Sequence, residues 1–144
     1  IVTGRDKPYK YQKLAKRLNL DRRIVFLGYV PGITSLLSIS DVAVLPTFYD
    51  PCSRFILEAI AAHKPVITTK FNGATDLFVN YRHGRVIDCP EDIYALAEAI
   101  RYFSDTNNIQ RVSQAIIEDN LKEKISIHRV AKQLISVYNT GGKN

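Results

Sequence analysis

Short apolar runs alternate along this chain with longer segments of helical period, and no feature of the sequence limits the fold more. The runs are Ile1–Thr3, Ile24–Leu27, Val42–Leu45, Pro65–Thr68 and Arg85–Ile87. Such an alternation predicts β-α repeats around a parallel sheet. Most of the runs are continuously apolar rather than alternating, as expected for strands covered on both faces. Between them, Pro8 suits a first helical turn, and Tyr11, Leu14, Ala15 and Leu18 follow at i, i+3, i+4 and i+7. A shorter helix is expected over Ile33–Ser38. The segment Arg54–Ala62 is apolar nearly all round and should be buried on several sides. Pro90, Glu91 and Asp92 read as the first turn of a helix burying Ile93, Leu96, Ala97, Ile100 and Phe103. After a polar break at Ser104–Asn108, two more helices are expected. The last carries Ile127, Val130, Ala131, Leu134, Ile135 and Tyr138 on one stripe. The fold class is therefore α/β: a Rossmann-like, doubly wound parallel sheet in a three-layer α/β/α sandwich.

At 144 residues and 46% apolar, the chain suffices for one well-filled core. Residues 1–139 are read as one domain and "TGGKN", 140–144, as a disordered tail. A net charge of +6 favours an anionic partner, with nucleotide, nucleic acid and acidic membrane surface all open at this point. Cys52 and Cys89 form neither a disulfide framework nor a metal-ligand spacing, which suits free thiols in a reducing compartment. No apolar run reaches the ~20 residues needed to span a bilayer, and no signal peptide opens the chain. A soluble, cytosolic domain is expected. The direct opening on "IVTG" reads as the start of a piece of something longer.

In folds of this class ligands sit beyond the carboxyl ends of the strands. That rule gathers Gly4–Lys7, Gly28–Gly32, Pro46–Ser53 and Thr69–Ala74 at one rim. The helix starting near Ser53 presents N–H groups without intrahelical partners and a partly positive end, a natural place for phosphate. Asp50 lies just before that helix, and Glu58 lies about 7.5 Å along its axis. Carboxylates accept hydrogen bonds from sugar hydroxyls, so these two acids suit the hexose and ribose ends of a sugar nucleotide with its diphosphate between them. Two plainer readings stand beside this one. Asp50 suits a turn or cap, and Glu58 suits an ion pair with a lysine or arginine from a neighbouring helix. The loop "FNGA", Phe71–Ala74, fits a tight turn close to a ligand or a turn alone. "GYVPG", Gly28–Gly32, exposes main chain able to read a base edge.

Singly these signals identify nothing, but their order does. "VTGRDKPYKYQKLAKRL", "RIVFLGYV", "SDVAVLPTFYDPCSRFILEAIAAHKPVITTKFNGATDLF" and "HGRVIDCPEDIYALAEAI" resemble the C-terminal, nucleotide-binding half of retaining GT-B glycosyltransferases of family four. The likeness covers Ile1 to about Phe103 and is nearest to lipopolysaccharide core glucosyltransferases, which share a G-x-D-K-P opening. The family signature, two acids spaced E-x7-E, stands here as Asp50 and Glu58. The resemblance implies that Glu58 binds the ribose hydroxyls and that Asp50 faces the donor sugar beside the reacting carbon. It further implies that Ser53, Arg54 and Phe55 hold the diphosphate through the helix tip, and that Tyr29 and Val30 read the base. Gly4, Arg5 and Gly73 complete the expected donor contacts. No metal and no cofactor are implied.

The implied reaction is retaining transfer of a hexose, with UDP-glucose the expected donor, to a glycan or lipopolysaccharide-core acceptor. The resemblance places the leaving-group arginine and lysine, with the first strand and helix of this domain, upstream of Ile1. It places an N-terminal domain for the glycan or lipid-linked acceptor there too. The chain alone is therefore expected to bind donor weakly and to transfer nothing, with Arg5, Lys7 or Arg54 compensating only in part. Three departures from the family pattern stand out. Ser53 and His63 occupy positions usually held by glycine, and His63 reads as a helix-capping residue. Arg54 either adds positive charge to the site or points to solvent. Lys7, Lys10, Lys13, Lys16 and Arg17 read as a solvated face or as a peripheral contact with an anionic membrane at the inner face of the cell; nucleic acid is not the expected partner. The alternative function is a flavodoxin-like regulatory or anion-binding module.

Overall fold

The computed structural model describes residues 1–4 and 8–141. Arg5 and Lys7, two of the cations expected at the rim, lie outside the described residues, as do residues 142–144. The chain divides into two compact units, Ile1–Ile33 and Thr34–Asn144. Both are built of parallel strands and helices in alternation.

In the first unit, strand β1 (Val2–Thr3) pairs in parallel with β2 (Phe26–Gly28), and helix α1 (Pro8–Arg17) forms the crossover. The Gly28 carbonyl ends the ladder by accepting two bonds, from Gly4 N–H at 2.9 Å and from Thr3 Oγ1 at 2.7 Å. Gly28 itself sits at φ +66°, in the left-handed region where glycine carries no Cβ penalty. Of the apolar stripe on α1 only Ala15 is buried, while Tyr11, Leu14 and Leu18 are exposed.

In the second unit, α2 (Thr34–Ser38) precedes a three-stranded parallel sheet in the order β3 (Ala43–Leu45), β4 (Val66–Thr69), β5 (Gly84–Ile87). Every residue of β4 is buried, as its continuous apolar run requires. Gly84 opens β5 against it. A Cβ there would lie 2.4 Å from the Val66 carbonyl oxygen, so only glycine lets the two strands approach this closely. Helix α3 (Arg54–Ala61) buries Ile56, Ala59 and Ile60. The helices α4 (Ile93–Tyr102), α5 (Thr106–Glu118) and α6 (Leu121–Lys124) add Ala99, Val112, Ala115, Ile116 and Leu121 to the core. Helix α7 runs from Ile127 to Gly141 and takes in Thr140 and Gly141, which the sequence reading gave to a tail.

Two expectations about burial need correction. Helix α4 begins at Ile93, because Asp92 is its N-cap and accepts from the N–H groups of Tyr94 (3.1 Å) and Ala95 (2.9 Å). Its buried side is Ala99 and Phe103, with Leu96 half-buried, while Ile93, Ala97 and Ile100 are exposed. The stripe on α7 is likewise exposed from Ile127 to Tyr138. Apolar periodicity marked both helices correctly but did not say which apolar residues find a partner.

Helix α3 closes in a Schellman arrangement. His63 N–H donates to the Ile60 carbonyl at 2.9 Å and Lys64 N–H to the Ala59 carbonyl at 2.9 Å, with His63 at φ +58°. The histidine caps this helix through its backbone, at a position that glycine adopts without strain. His63→Gly should raise stability by about 1 kcal/mol, read from the urea midpoint at unchanged slope.

A second tie joins the loop before β5 to the end of α5. Arg82 grips Asp119 with two bonds of 2.7 Å, and His83 Nε2 meets Asp119 Oδ2 at 2.7 Å. His83 Nδ1 accepts the Val79 N–H at 3.0 Å, so the network assigns the ring proton to Nε2. The bonds from Arg82, then that from His83, hold the Asp119 carboxyl well below the usual carboxylate range. Its stabilising effect is complete above the unfolded pKa near ~3.9 and fades as pH falls towards the lower folded value. Asp119→Asn should thus be less stable than wild type at neutral pH, and the gap between their urea midpoints should close below about pH 4.

Candidate functional site

The site is built where the loop leaving β3 meets the loop leaving β4. Asp50 N–H donates to the Phe71 carbonyl (3.1 Å), and the Asp50 carbonyl accepts the Gly73 N–H (2.8 Å), extending the parallel pairing beyond the strands proper. The Asp50 side chain also forms a turn, Oδ1 accepting the Cys52 N–H at 3.1 Å. The plainer reading of this acid is therefore realised at one carboxylate oxygen. Two threonines stitch β4 to the loop's root: Thr68 Oγ1 to the Leu45 carbonyl at 2.8 Å and Thr69 Oγ1 to the Thr47 carbonyl at 2.5 Å.

Asn72, fully buried, holds the junction together. Its Oδ1 accepts the N–H groups of Ser53 (3.3 Å) and Ala74 (3.1 Å), and its Nδ2 donates to Thr68 Oγ1 (3.1 Å). One carboxamide thus fixes three segments: the start of α3, the 3₁₀ turn Gly73–Leu77 and the end of β4. The sequence reading took Asn72 only as half of an Asn-Gly turn. No local signal marks it: Thr68, Thr69, Lys70, Thr75 and Asp76 surround it in the sequence, and only the fold shows the burial that obliges its carboxamide to be bonded. Gly73 is required by its neighbour, since a Cβ there would lie 2.0 Å from the Pro51 carbonyl oxygen.

Ser53 is the N-cap of α3, buried, with Oγ accepting the Ile56 N–H at 3.4 Å and its carbonyl accepting the Leu57 N–H at 3.1 Å. The N–H groups of Arg54 and Phe55 stand in the same first turn, where no intrahelical carbonyl can reach them. The serine therefore occupies one donor of the tip and leaves two. Arg54 is the exposed member of this turn, and its Nη2 lies 3.4 Å from Glu58 Oε1 one turn on. Among the described residues Glu58 pairs within its own helix and not with a neighbouring one.

Thus Asp50, Ser53, Arg54, Phe55, Glu58 and Gly73 stand within the second unit, at the carboxyl ends of its strands. Gly4, Tyr29 and Val30 belong to the first unit. There the Gly4 N–H is bonded to Gly28, Tyr29 is exposed and Val30 is half-buried. Among the described residues there is no group of three or more His, Cys, Asp or Glu able to hold a metal ion.

The sequence profile of the glycosyl transferases group 1 matches residues 1–123. The chain belongs to this family. Lipopolysaccharide glucosyltransferase WaaG of Escherichia coli is 30% identical over 101 residues, 70% of this chain and 27% of that protein. An uncharacterized glycosyltransferase of Methanocaldococcus jannaschii is 29% identical over 142 residues, 96% of this chain and 36% of that one. The chain therefore spans about a third of the length of these curated relatives or less. The crystal structure of WaaG superposes with a TM-score of 0.73 at 26% identity, covering 80% of this chain and 31% of that chain. Anabaena HepE in complex with UDP-glucose superposes with a TM-score of 0.79 over 96% of this chain and 40% of that one; at 20% identity this likeness shows the fold alone. The group 1 domain thus has the α/β architecture of GT-B C-terminal halves, and a flavodoxin-like regulatory or anion-binding module is left without support.

Replacing Asn72 in this group 1 domain should be costly. Asn72→Ala orphans buried N–H groups and should lower stability by about 3 kcal/mol in urea unfolding. Asn72→Asp should not restore it, because a carboxylate has no proton to give Thr68 Oγ1.

Proposed function

We propose that this chain is the donor-binding half of a retaining hexosyltransferase of the GT-B class, family four, with UDP-glucose as donor. The observation that carries the reading is the tip of α3, flanked by Asp50 and Glu58 and pinned by Asn72. In this reading Glu58 takes the ribose hydroxyls and Asp50 the hydroxyls of the sugar. Ser53, Arg54 and Phe55 present the helix tip to the diphosphate. Gly73 completes the donor contacts of the second unit; for the first unit, the family resemblance alone gives Tyr29 and Val30 to the base and Gly4 and Arg5 to the donor. The bond from the anomeric carbon to the phosphate oxygen breaks while the acceptor oxygen bonds the same face and passes its proton to the departing phosphate oxygen; the helix tip stabilises the charge on the diphosphate.

The acceptor, a glycan or a lipopolysaccharide-core sugar, is held by a preceding domain of a longer protein, and the arginine and lysine come from the upstream first strand and helix of the donor domain. The relative that acts as a lipopolysaccharide glucosyltransferase supports the sugar and the acceptor class. A neighbour of the same fold is bound to UDP-glucose, so this architecture accommodates such a donor. Among the described residues no helix is long and apolar enough to cross a membrane. Lys10, Lys13, Lys16 and Arg17 on α1 are exposed, and this supports peripheral contact with an anionic bilayer on the cytoplasmic side.

Titration of the isotope-labelled protein with UDP, GDP and ADP, read by NMR shifts at Ser53, Arg54, Glu58 and Gly73, tests the reading. UDP should move these peaks most. Glu58→Gln should weaken UDP about tenfold, since a charge-assisted hydrogen bond to ribose is lost. Asp50→Asn should leave UDP unaffected and weaken UDP-glucose. Equal shifts for all three nucleotides, or shifts away from these residues, would count against a uridine donor at this rim.

A further inference from the structure

Arginine is a poorly chosen residue for the first position of a helix. The macrodipole places partial positive charge there and disfavours a cation. Arg54 nevertheless opens α3, the only exposed residue of that helix, with its side chain 90% exposed. Its one ion-pair partner among the described residues is Glu58, through a single 3.4 Å approach. Exposed pairs at i, i+4 are among the weakest ion pairs, and a contact of this length is easily broken. A guanidinium carried by the first residue of a helix and held loosely by an acid that is itself 39% exposed is poised to exchange partners.

We infer that Arg54 is an exchangeable counterion: its guanidinium rests on Glu58 in the free protein and moves to the diphosphate when the donor arrives. The inference rests on the donor reading above, which gives Glu58 to the ribose. Its added content is that one arrival resolves two mismatches. The ribose displaces Arg54 from Glu58, and the diphosphate offers the displaced cation a partner that also suits the helix end. Arg54 then discriminates by phosphate content: it favours the nucleoside diphosphate and opposes the bare nucleoside, which must break the ion pair with nothing to offer in return.

The experiment compares wild type, Arg54→Ala and Arg54→Lys with UDP and with uridine as probes, by NMR titration at low and raised salt. Arg54 is exposed, so circular dichroism should show the fold of both variants intact. Arg54→Ala should weaken UDP about fivefold, flatten its salt dependence, and leave uridine unchanged or slightly tighter. Arg54→Lys should retain much of the UDP affinity, since it keeps the charge without the planar fork. A wild type that binds UDP while Arg54→Ala binds it equally well, or loses UDP and uridine alike, overturns the exchange and leaves the donor reading standing. A wild type that shows no shifts at this rim with either probe overturns both.

Discussion

A carboxamide buried among backbone groups sets the shape of this rim. Asn72 has no access to water, so each of its polar atoms must be bonded within the protein. The arrangement that does so brings the end of β4, the 3₁₀ turn and the start of α3 together. The parallel pairing at Asp50 and the glycine at position 73 follow from that geometry, because the turn then passes so near Pro51 that a side chain at residue 73 has no room. The acids flanking the helix tip are placed by this framework. Asp50 is held by backbone on both sides, and Glu58 by its place on a helix whose other side is core.

Much of this was legible in the residues. The alternation of apolar runs and helical segments located the strands, with shifts of one or two residues at their ends, because strand ends depend on partner geometry that a single run does not encode. The pair Asp50 and Glu58 stood out through spacing, and the motif order pointed to glycosyltransferases, of which the match over residues 1–123 establishes group 1. What the residues did not disclose was partnership. The apolar stripes on α1, α4 and α7 look alike in sequence, yet of their members only a few, such as Ala15 and Phe103, are buried. Periodicity reports which side of a helix is apolar; whether another surface covers it is a property of the rest of the fold.

The same limit explains Asn72 and Asp119. Each is a polar residue whose role is set by segments distant in sequence, Asp119 being joined to residues some 36 and 37 positions away. Local rules assign such residues to turns and caps, which they also are. Their long-range bonds have no local signature. His63 is the opposite case. Its histidine side chain suggested a charge effect at a helix end, while the structure shows that the backbone, at φ +58°, does the capping.

The threonine hydroxyls that fasten Leu45 and Thr47 to β4 have a further consequence. They tether the root of the loop bearing Asp50 to the most deeply buried strand of the molecule, so the loop inherits the rigidity of the sheet. The conformational entropy of ordering that loop is lost during folding, not when a ligand arrives. A partner meeting this loop finds its backbone already in place, so ordering the loop takes nothing from the affinity gained there.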